Sequence, residues 1–451
     1  MSKLMSRIIN FLALLLIVFC LPAQAAFSIT TNNGDKIEIK LWGETNRGPL
    51  FIWLLNQYGE NKRADSLAAE LAKNGASVWQ ADLLDALMLE RTAEAIRNMD
   101  GGPVASLIDA AVGKGRRPIV LVASDRMAVP LLKGLREWQL RVQAGEVDIT
   151  GKAVKTADLH AVAGGVVFFP NLYRGTPVAG EDPELMEIVA ATNMPLMIMQ
   201  PALGSNRTRL PSLLKTLHAA GSPAYSWLLP EVRDYYLLQT EKPRSESLQA
   251  MAGKVPTAVE QAIRQTPDQL LAAARLLAAS KKPAKPLAMR EAAQKASAPA
   301  YGLIERPRQP APGFSLTDAY GKTQNLSQGH GRITLVNFWA TWCPPCVHEI
   351  PSMNRLAAAY DKKDFGIVSI NFKEDPEHVL AFLKRVDVDF PVLLDRDGAV
   401  SGRWRVFAFP STFLLDRNGD IRYSVNTAIE WDTDEAKAVI DSLLKEARAA
   451  K

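Results

Sequence analysis

The run Ile333 to Trp339 leads directly into Trp342-Cys343-Pro344-Pro345-Cys346, and this junction constrains the chain more than any other stretch. β-branched and aromatic residues in such a run read as a buried strand, and the pattern after it reads as a helix continuing to about Tyr360. The strand therefore delivers Cys343 to a helix N-terminus. Unpaired backbone N–H groups and the helix dipole favour a thiolate there, below the free thiol value of about 8.5. Pro344 and Pro345 fall in the first helical turn, where a missing N–H costs little, and they stiffen the ring that two sulfurs would close.

The chain has 3 cysteines, and the third, Cys20, lies near the N-terminus. Two thiols three positions apart can close a small disulfide ring and reopen it, whereas a structural bridge usually joins distant segments. Cys343 is expected as the exposed attacking thiol and Cys346, one turn inside the helix, as the resolving thiol. The competing readings are an inert disulfide or half of a zinc site. Zinc normally takes four ligands, and His160, His218, His330, His348 and His378 show no ligand spacing around the pair. No metal and no cofactor is expected, since a dithiol carries the electrons itself.

The N-terminus reads as an export signal over residues 1–25. Lys3 and Arg7 precede an apolar run from Ile8 to Leu21, and Ala23 and Ala25 form a small-x-small cleavage site. The run is shorter than the roughly 20 apolar residues that span a bilayer, so a soluble, exported, periplasmic protein is expected. Cys20 would be lipidated in a lipoprotein reading, but Phe19 stands where a small residue is wanted. At 451 residues the chain exceeds one ordinary core, and a net charge of +5 without a dense basic block gives no case for nucleic acid.

Composition shifts twice along the chain. Residues 26–238 alternate β-rich runs with amphipathic stretches, the pattern of an α/β domain with a mostly parallel sheet. Strands are expected near Phe51 to Leu55, Val78 to Ala81, Ile119 to Ala123, Val166 to Phe169, Leu196 to Met199 and Tyr225 to Leu229. Helical patterns cover Arg63 to Lys73, Val129 to Leu140 and Leu210 to Ala220. Residues 239–312 are rich in Ala, Lys and Pro and read as a linker with one helix, Thr257 to Ala279. Residues 313–451 return to clear strand and helix periodicity.

That last region resembles the TlpA/ResA-like family of exported thiol:disulfide oxidoreductases, which implies a thioredoxin fold. The resemblance rests on Val336-Asn337-Phe338-Trp339-Ala340-Thr341-Trp342-Cys343-Pro344-Pro345-Cys346, on Pro351, and on Phe409-Pro410-Ser411-Thr412-Phe413. It implies a cis Pro410 beside the sulfurs, with Trp342, Phe409 and Pro410 as substrate-binding residues. Asn337 stands where thioredoxin has a buried Asp. An acidic residue of the family matches Glu374, whose carboxyl would then have a raised pKa and manage the proton of the buried thiol; the alternative is a solvated charge opening the next helix. Catalytic roles are thus expected for Cys343, Cys346, Glu374 and Pro410.

The strand order expected for residues 26–238 resembles an α/β-hydrolase. The nucleophile elbow should follow Ile119 to Val122, where the sequence is Ala123-Ser124-Asp125-Arg126-Met127-Ala128. The flanking glycines are missing and Asp125 aligns with the nucleophile, one position after Ser124. No histidine follows the last expected strand, so an activating base is lacking. A noncatalytic binding domain, a divergent Asp125 hydrolase and an unrelated doubly wound domain all remain open. Arg126 or Arg174 could orient anions, but a lone Arg near a strand end is more often a surface residue, and no ligand is assigned.

These readings combine into an exported thiol:disulfide oxidoreductase that reduces other exported proteins. The resemblance implies re-reduction by a membrane thiol-transferring partner of the DsbD or CcdA kind. A dithiol oxidase is the alternative direction, and a partner-binding protein with redox-sensing thiols is the alternative class.

Overall fold

Two groups of buried β-branched runs generate two sheets. In the computed structural model, residues 25–45, 47–115, 117–145, 159–237, 258–281, 285–289, 302–326 and 331–449 are described. The expected export signal up to Gln24, with Cys20, lies outside these residues, as do His330 and residues 239–257, 282–284 and 290–301 of the expected linker. The chain divides into two units: residues up to Asn171 with Ile188–Pro201 and Leu214–Met289, and Leu172–Glu187 with Ala202–Leu213 and Arg290–Lys451.

The first unit holds an 8-stranded sheet in the order β1-β2-β4-β3-β5-β6-β7-β8. Its strands are β1 (Ala25–Thr30), β2 (Lys36–Trp42), β3 (Leu50–Leu54), β4 (Ser77–Ala81), β5 (Ile119–Ser124), β6 (Val162–Phe168), β7 (Leu196–Pro201) and β8 (Ala224–Leu229). From β4 through β3 to β8 every pairing is parallel, and β1 and β2 join antiparallel. The central strands β3 to β7 are buried along their full length, as expected when helices cover a parallel sheet. No strand was expected over β1 and β2. In β2 charged residues alternate with Ile37 and Ile39, so only one face is apolar and the run lacks the continuous hydrophobicity of its neighbours.

Helices α1 (Lys62–Lys73), α2 (Gly102–Gly113), α3 (Ala128–Ala144) and α4 (Ala258–Ala279) belong to this unit. The helix expected within the linker is α4, and it is core rather than connector. Its Ala262, Leu270, Ala273, Ala274 and Leu277 recur at helical spacing and bury in one cluster with Phe51, Val122, Phe168 and Met199. The segment after it is also held, since Arg136 donates to Leu287 O and Asn193 Nδ2 to Lys285 O.

The second unit holds a 6-stranded sheet, β14-β13-β12-β15-β16-β9, and a small hairpin, β10 (Ser315–Thr317) with β11 (Thr323–Asn325). The sheet is built from β9 (Ile304–Pro310), β12 (Ile333–Trp339), β13 (Phe365–Phe372), β14 (Val392–Asp395), β15 (Ser411–Leu415) and β16 (Asp420–Val425). β12, β13 and β14 are parallel; β15, β16 and β9 are antiparallel. β9 falls in the stretch read as linker because Pro307 and Pro310 interrupt it. Prolines are tolerated on a sheet edge, where one side of the strand needs no N–H donor.

Alternation along β12 sorts its side chains between two layers. Ile333 and Leu335 pack with Met353 and Leu356 of α5 (Pro344–Ala358) and with Ile440 and Leu443 of a later helix, whereas Val336 and Phe338 join Phe413 and Trp404. Residues Pro376–Leu383 form α6 and Asp434–Ala449 form α7. Among the described residues no helix is long and apolar enough to cross a membrane.

Candidate active site

β12 ends at Trp339 and the chain turns through Ala340, Thr341 and Trp342 into α5, whose N-cap is Cys343. Cys343 and Cys346 form a disulfide, and Cys346 N–H points at Cys343 Sγ at 3.4 Å. Pro344 occupies the first helical position, where its fixed φ suits the helix. The two cysteines retain 5% and 1% of their surface. Cys343 is therefore the more accessible residue of the two, but it is not the exposed residue expected. Joined to Cys346, it is drawn into a cluster with Trp339, Ala340, Ile350, Val379 and Phe382.

The Phe409–Pro410 peptide bond is cis, and Pro410 leads into β15. The Phe409 ring packs against the cluster that contains both cysteines and meets Trp342 edge-on at 5.9 Å. Trp342 is exposed, with 43% of its surface open. Beside it an open groove of about 510 Å³ is lined by Trp342, Val347, His348, Phe382, Arg385 and Val386. Geometry thus brings together Trp342, Cys343, Cys346, Phe409 and Pro410 from segments separated by more than sixty residues.

Glu374 stands at the end of β13 and is buried. Its carboxylate accepts hydrogen bonds from Thr341 N (2.7 Å), Thr341 Oγ1 (2.7 Å) and Asn371 Nδ2 (2.7 Å). His378 Nε2 lies 3.6 Å from the same carboxylate. These contacts tie Glu374 to the turn that precedes Cys343. It is neither a solvated helix-opening charge nor an unengaged carboxyl.

A second buried acid, Glu349, was not singled out from sequence. It sits on α5 three residues beyond Cys346 and has 1% of its surface exposed. Asn337 Nδ2 donates to Glu349 Oε1 (2.8 Å) and to Thr412 Oγ1 (2.9 Å), and Trp431 Nε1 donates to Glu349 Oε2 (3.2 Å). Burial pushes the Glu349 carboxyl up to about 7, against hydrogen bonds from Trp431 and Asn337 that pull it down. Asn337 on the strand is thus hydrogen-bonded to a carboxyl supplied by the helix. The available signal was spacing, since an acid at i+3 from Cys346 shares its helix face.

Comparison with known proteins adds to this geometry. Residues 306–440 match the Redoxin family. Over 112 residues the chain is 39% identical to the thiol-disulfide oxidoreductase ResA of Geobacillus kaustophilus, covering 25% of this chain and 64% of that one. It is 38% identical over 117 residues to the thioredoxin-like protein YneN of Bacillus subtilis, covering 25% of this chain and 68% of YneN. The chain belongs to the thioredoxin-like family of YneN. Among solved structures, a protein of Chlorobium tepidum assigned as the thiol:disulfide interchange protein DsbE is 30% identical over 31% of this chain and 99% of that one, with a TM-score of 0.29.

The family match lies in the second unit, which carries the thioredoxin-like fold, and it spans about 64% of the ResA length. The candidate residues of the first unit rest on geometry. Asp125 follows β5 with φ of 50°, a left-handed conformation costly for a non-glycine residue. Its side chain is buried, pairs with Arg126 Nη1 at 3.0 Å and bonds Tyr235, while burial raises its pKa. Ser124 is buried at the strand end. His218 Nε2 lies 2.8 Å from Ala224 O. Arg174, the other arginine singled out, lies in the second unit and pairs with Glu187 and Glu184 of its own loop. Among the described residues no group of three or more His, Cys, Asp or Glu could hold a metal.

Proposed function

We propose that the protein is an exported thiol:disulfide oxidoreductase that reduces disulfides of other exported proteins through Cys343 and Cys346. The observation that carries this reading is the disulfide at the N-terminus of α5, packed against the residue that precedes the cis Pro410. The name of the relative ResA supports the same chemistry.

In the reduced enzyme, Cys343 thiolate attacks one sulfur of a substrate disulfide, forming a mixed disulfide and expelling the other substrate sulfur as thiolate. Cys346, once deprotonated, attacks Cys343 Sγ, releases the second substrate thiol and leaves the enzyme disulfide. Two electrons pass to the substrate. Phe409 and Pro410 offer main chain for an extended substrate segment, and Trp342 with its groove offers an apolar contact. Glu349, near neutrality and one turn past Cys346, suits the proton of the resolving thiol. Glu374 holds the Thr341 turn from which Cys343 projects. A membrane thiol-transferring partner of the DsbD or CcdA kind would return the electrons.

Insulin disulfide reduction tests the reading: wild type is expected to precipitate reduced insulin chains and Cys343→Ser to be inactive. A wild type without thiol-dependent turnover overturns it. A measured potential near that of strong oxidases, about −120 mV, would make the protein a dithiol oxidase instead.

For the first unit we propose a hydrolase-like fold without catalysis. The order β1-β2-β4-β3-β5-β6-β7-β8 supports the resemblance, and the engagement of Asp125 by Arg126 and Tyr235 argues against a free nucleophile. Ester hydrolysis that disappears in Asp125→Ala would refute this.

A further inference from the structure

Two stretches from the N-terminal half of the sequence, residues 172–187 and 202–213, belong to the unit that carries the redox centre. The first is a closed loop. Tyr173 pairs with Leu185 in a β-bridge, Arg174 N donates to Glu184 O (3.0 Å), and Met186 N donates to Leu172 O (2.9 Å). The second contains a short 3-10 turn, Ser205–Arg209.

Both stretches converge on the segment that carries the cis proline. Arg209 Nη2 donates to Val406 O at 2.9 Å, and its guanidinium carbon lies 5.2 Å from the centroid of the Phe407 ring. Tyr173 meets the same ring edge-on at 5.3 Å. On the far side of the proline, Ser411 Oγ lies 2.5 Å from Asn426 Oδ1, and Asn426 Nδ2 donates to Pro177 O at 2.7 Å. Ala179 is buried in the core that contains Phe413, and Gly180, at φ of 89°, approaches Phe413 so closely that a Cβ would stand 3.2 Å from its ring. A third hold is Lys373 Nζ on Ala202 O at 3.2 Å, one residue before Glu374.

Arg209 is a costly choice for such a place. Its Nε is buried without a hydrogen-bond partner, so part of its desolvation is uncompensated. An apolar side chain could fill the space without that cost. What a guanidinium adds is direction: it grips one backbone carbonyl while stacking on the neighbouring ring.

We propose that Arg209 is a positioning residue for polypeptide substrates. By fixing Val406 and Phe407 it sets the main-chain course of Phe409 and Pro410, on which an extended substrate segment lies while Cys343 attacks. Residues 172–187 and 202–213 are then working parts of the redox module. The inference rests on the reductase reading and deepens it, since it assigns this device to extended protein segments and not to small disulfides.

The test compares two substrates on the full-length protein, insulin and hydroxyethyl disulfide, with wild type, Arg209→Ala and Arg209→Lys. Arg209→Ala is expected to lower kcat/KM on insulin about tenfold, mainly by raising KM, and to change the rate on hydroxyethyl disulfide by less than about twofold. Arg209→Lys, which keeps a cation and a donor for Val406 O, is expected to recover most of the loss. Equal losses on both substrates, or no loss on insulin, would overturn the proposal. Should Arg209→Ala fail to fold, Tyr173→Leu removes the other contact on Phe407 and is expected to give the same split, with the same contrary outcomes. A wild type inactive on both substrates sinks the reductase reading itself, whereas an active wild type matched by its variants sinks only the positioning role.

Discussion

Glu349 is a carboxyl whose environment opposes its charge. Burial raises its pKa to about 7, above the unfolded value, so the folded state binds the more protons between those two values. The stability this proton contributes is fully present below the unfolded pKa and is lost as pH rises through about 7. For one such group the loss is about 3 kcal/mol. Chemical denaturation of the oxidised protein at acid and mildly alkaline pH is expected to show this decline, and Glu349→Gln to flatten it. An unchanged slope in the variant would mean that another group titrates. The buried acid Glu374 plays a different part, because its three hydrogen bonds come from Thr341 and Asn371 and hold the turn before the dithiol.

At the scale of elements, pairing geometry decides what each segment tolerates. Between β5 and β6 the register shifts, so that Ile119 pairs with Val162 but Val120 with Gly164. Gly164 has φ of 140°, and a Cβ there would lie 2.1 Å from Pro195 O, a backbone atom that cannot step aside. Glycine is required by conformation and by space together. Gly164→Ala is expected to destabilise the first unit by about 3 kcal/mol or more, read as a lower denaturation midpoint with tryptophan fluorescence. A midpoint unchanged from wild type would contradict the bulge. In the second unit, β12 carries the same logic of alternation, directing Asn337 towards Glu349 on α5 and Phe338 towards Phe413.

For the whole molecule the relevant fact is that two units have separate cores. Calorimetry is expected to resolve two transitions. Only the transition of the second unit should move when dithiothreitol opens Cys343–Cys346, downward by about 2 kcal/mol for so small a ring. A single transition that shifts as a whole would show instead that the units melt together. The division departs from the consecutive blocks 26–238, 239–312 and 313–451 expected from composition. Linear composition divides a chain into consecutive blocks, whereas residues 172–187 and 202–213 leave the first unit for the second and the chain returns between them.

By itself the sequence determined the features that depend on near neighbours. Strand β12, the dithiol at the start of α5, the parallel strands β3 to β8 and the helix α4 were legible because buried runs and helical spacing are local patterns. Three features were decided only by tertiary structure. β9 is a strand because β16 offers it an edge, although its prolines argue for a linker. Glu349 has a raised pKa because the folded core buries it, against the pull of hydrogen bonds from Asn337 and Trp431, which lie 12 and 82 positions away. Arg209 meets Val406 across 197 residues. In each case the deciding energy is burial or pairing between distant segments, which exists only once the chain has folded.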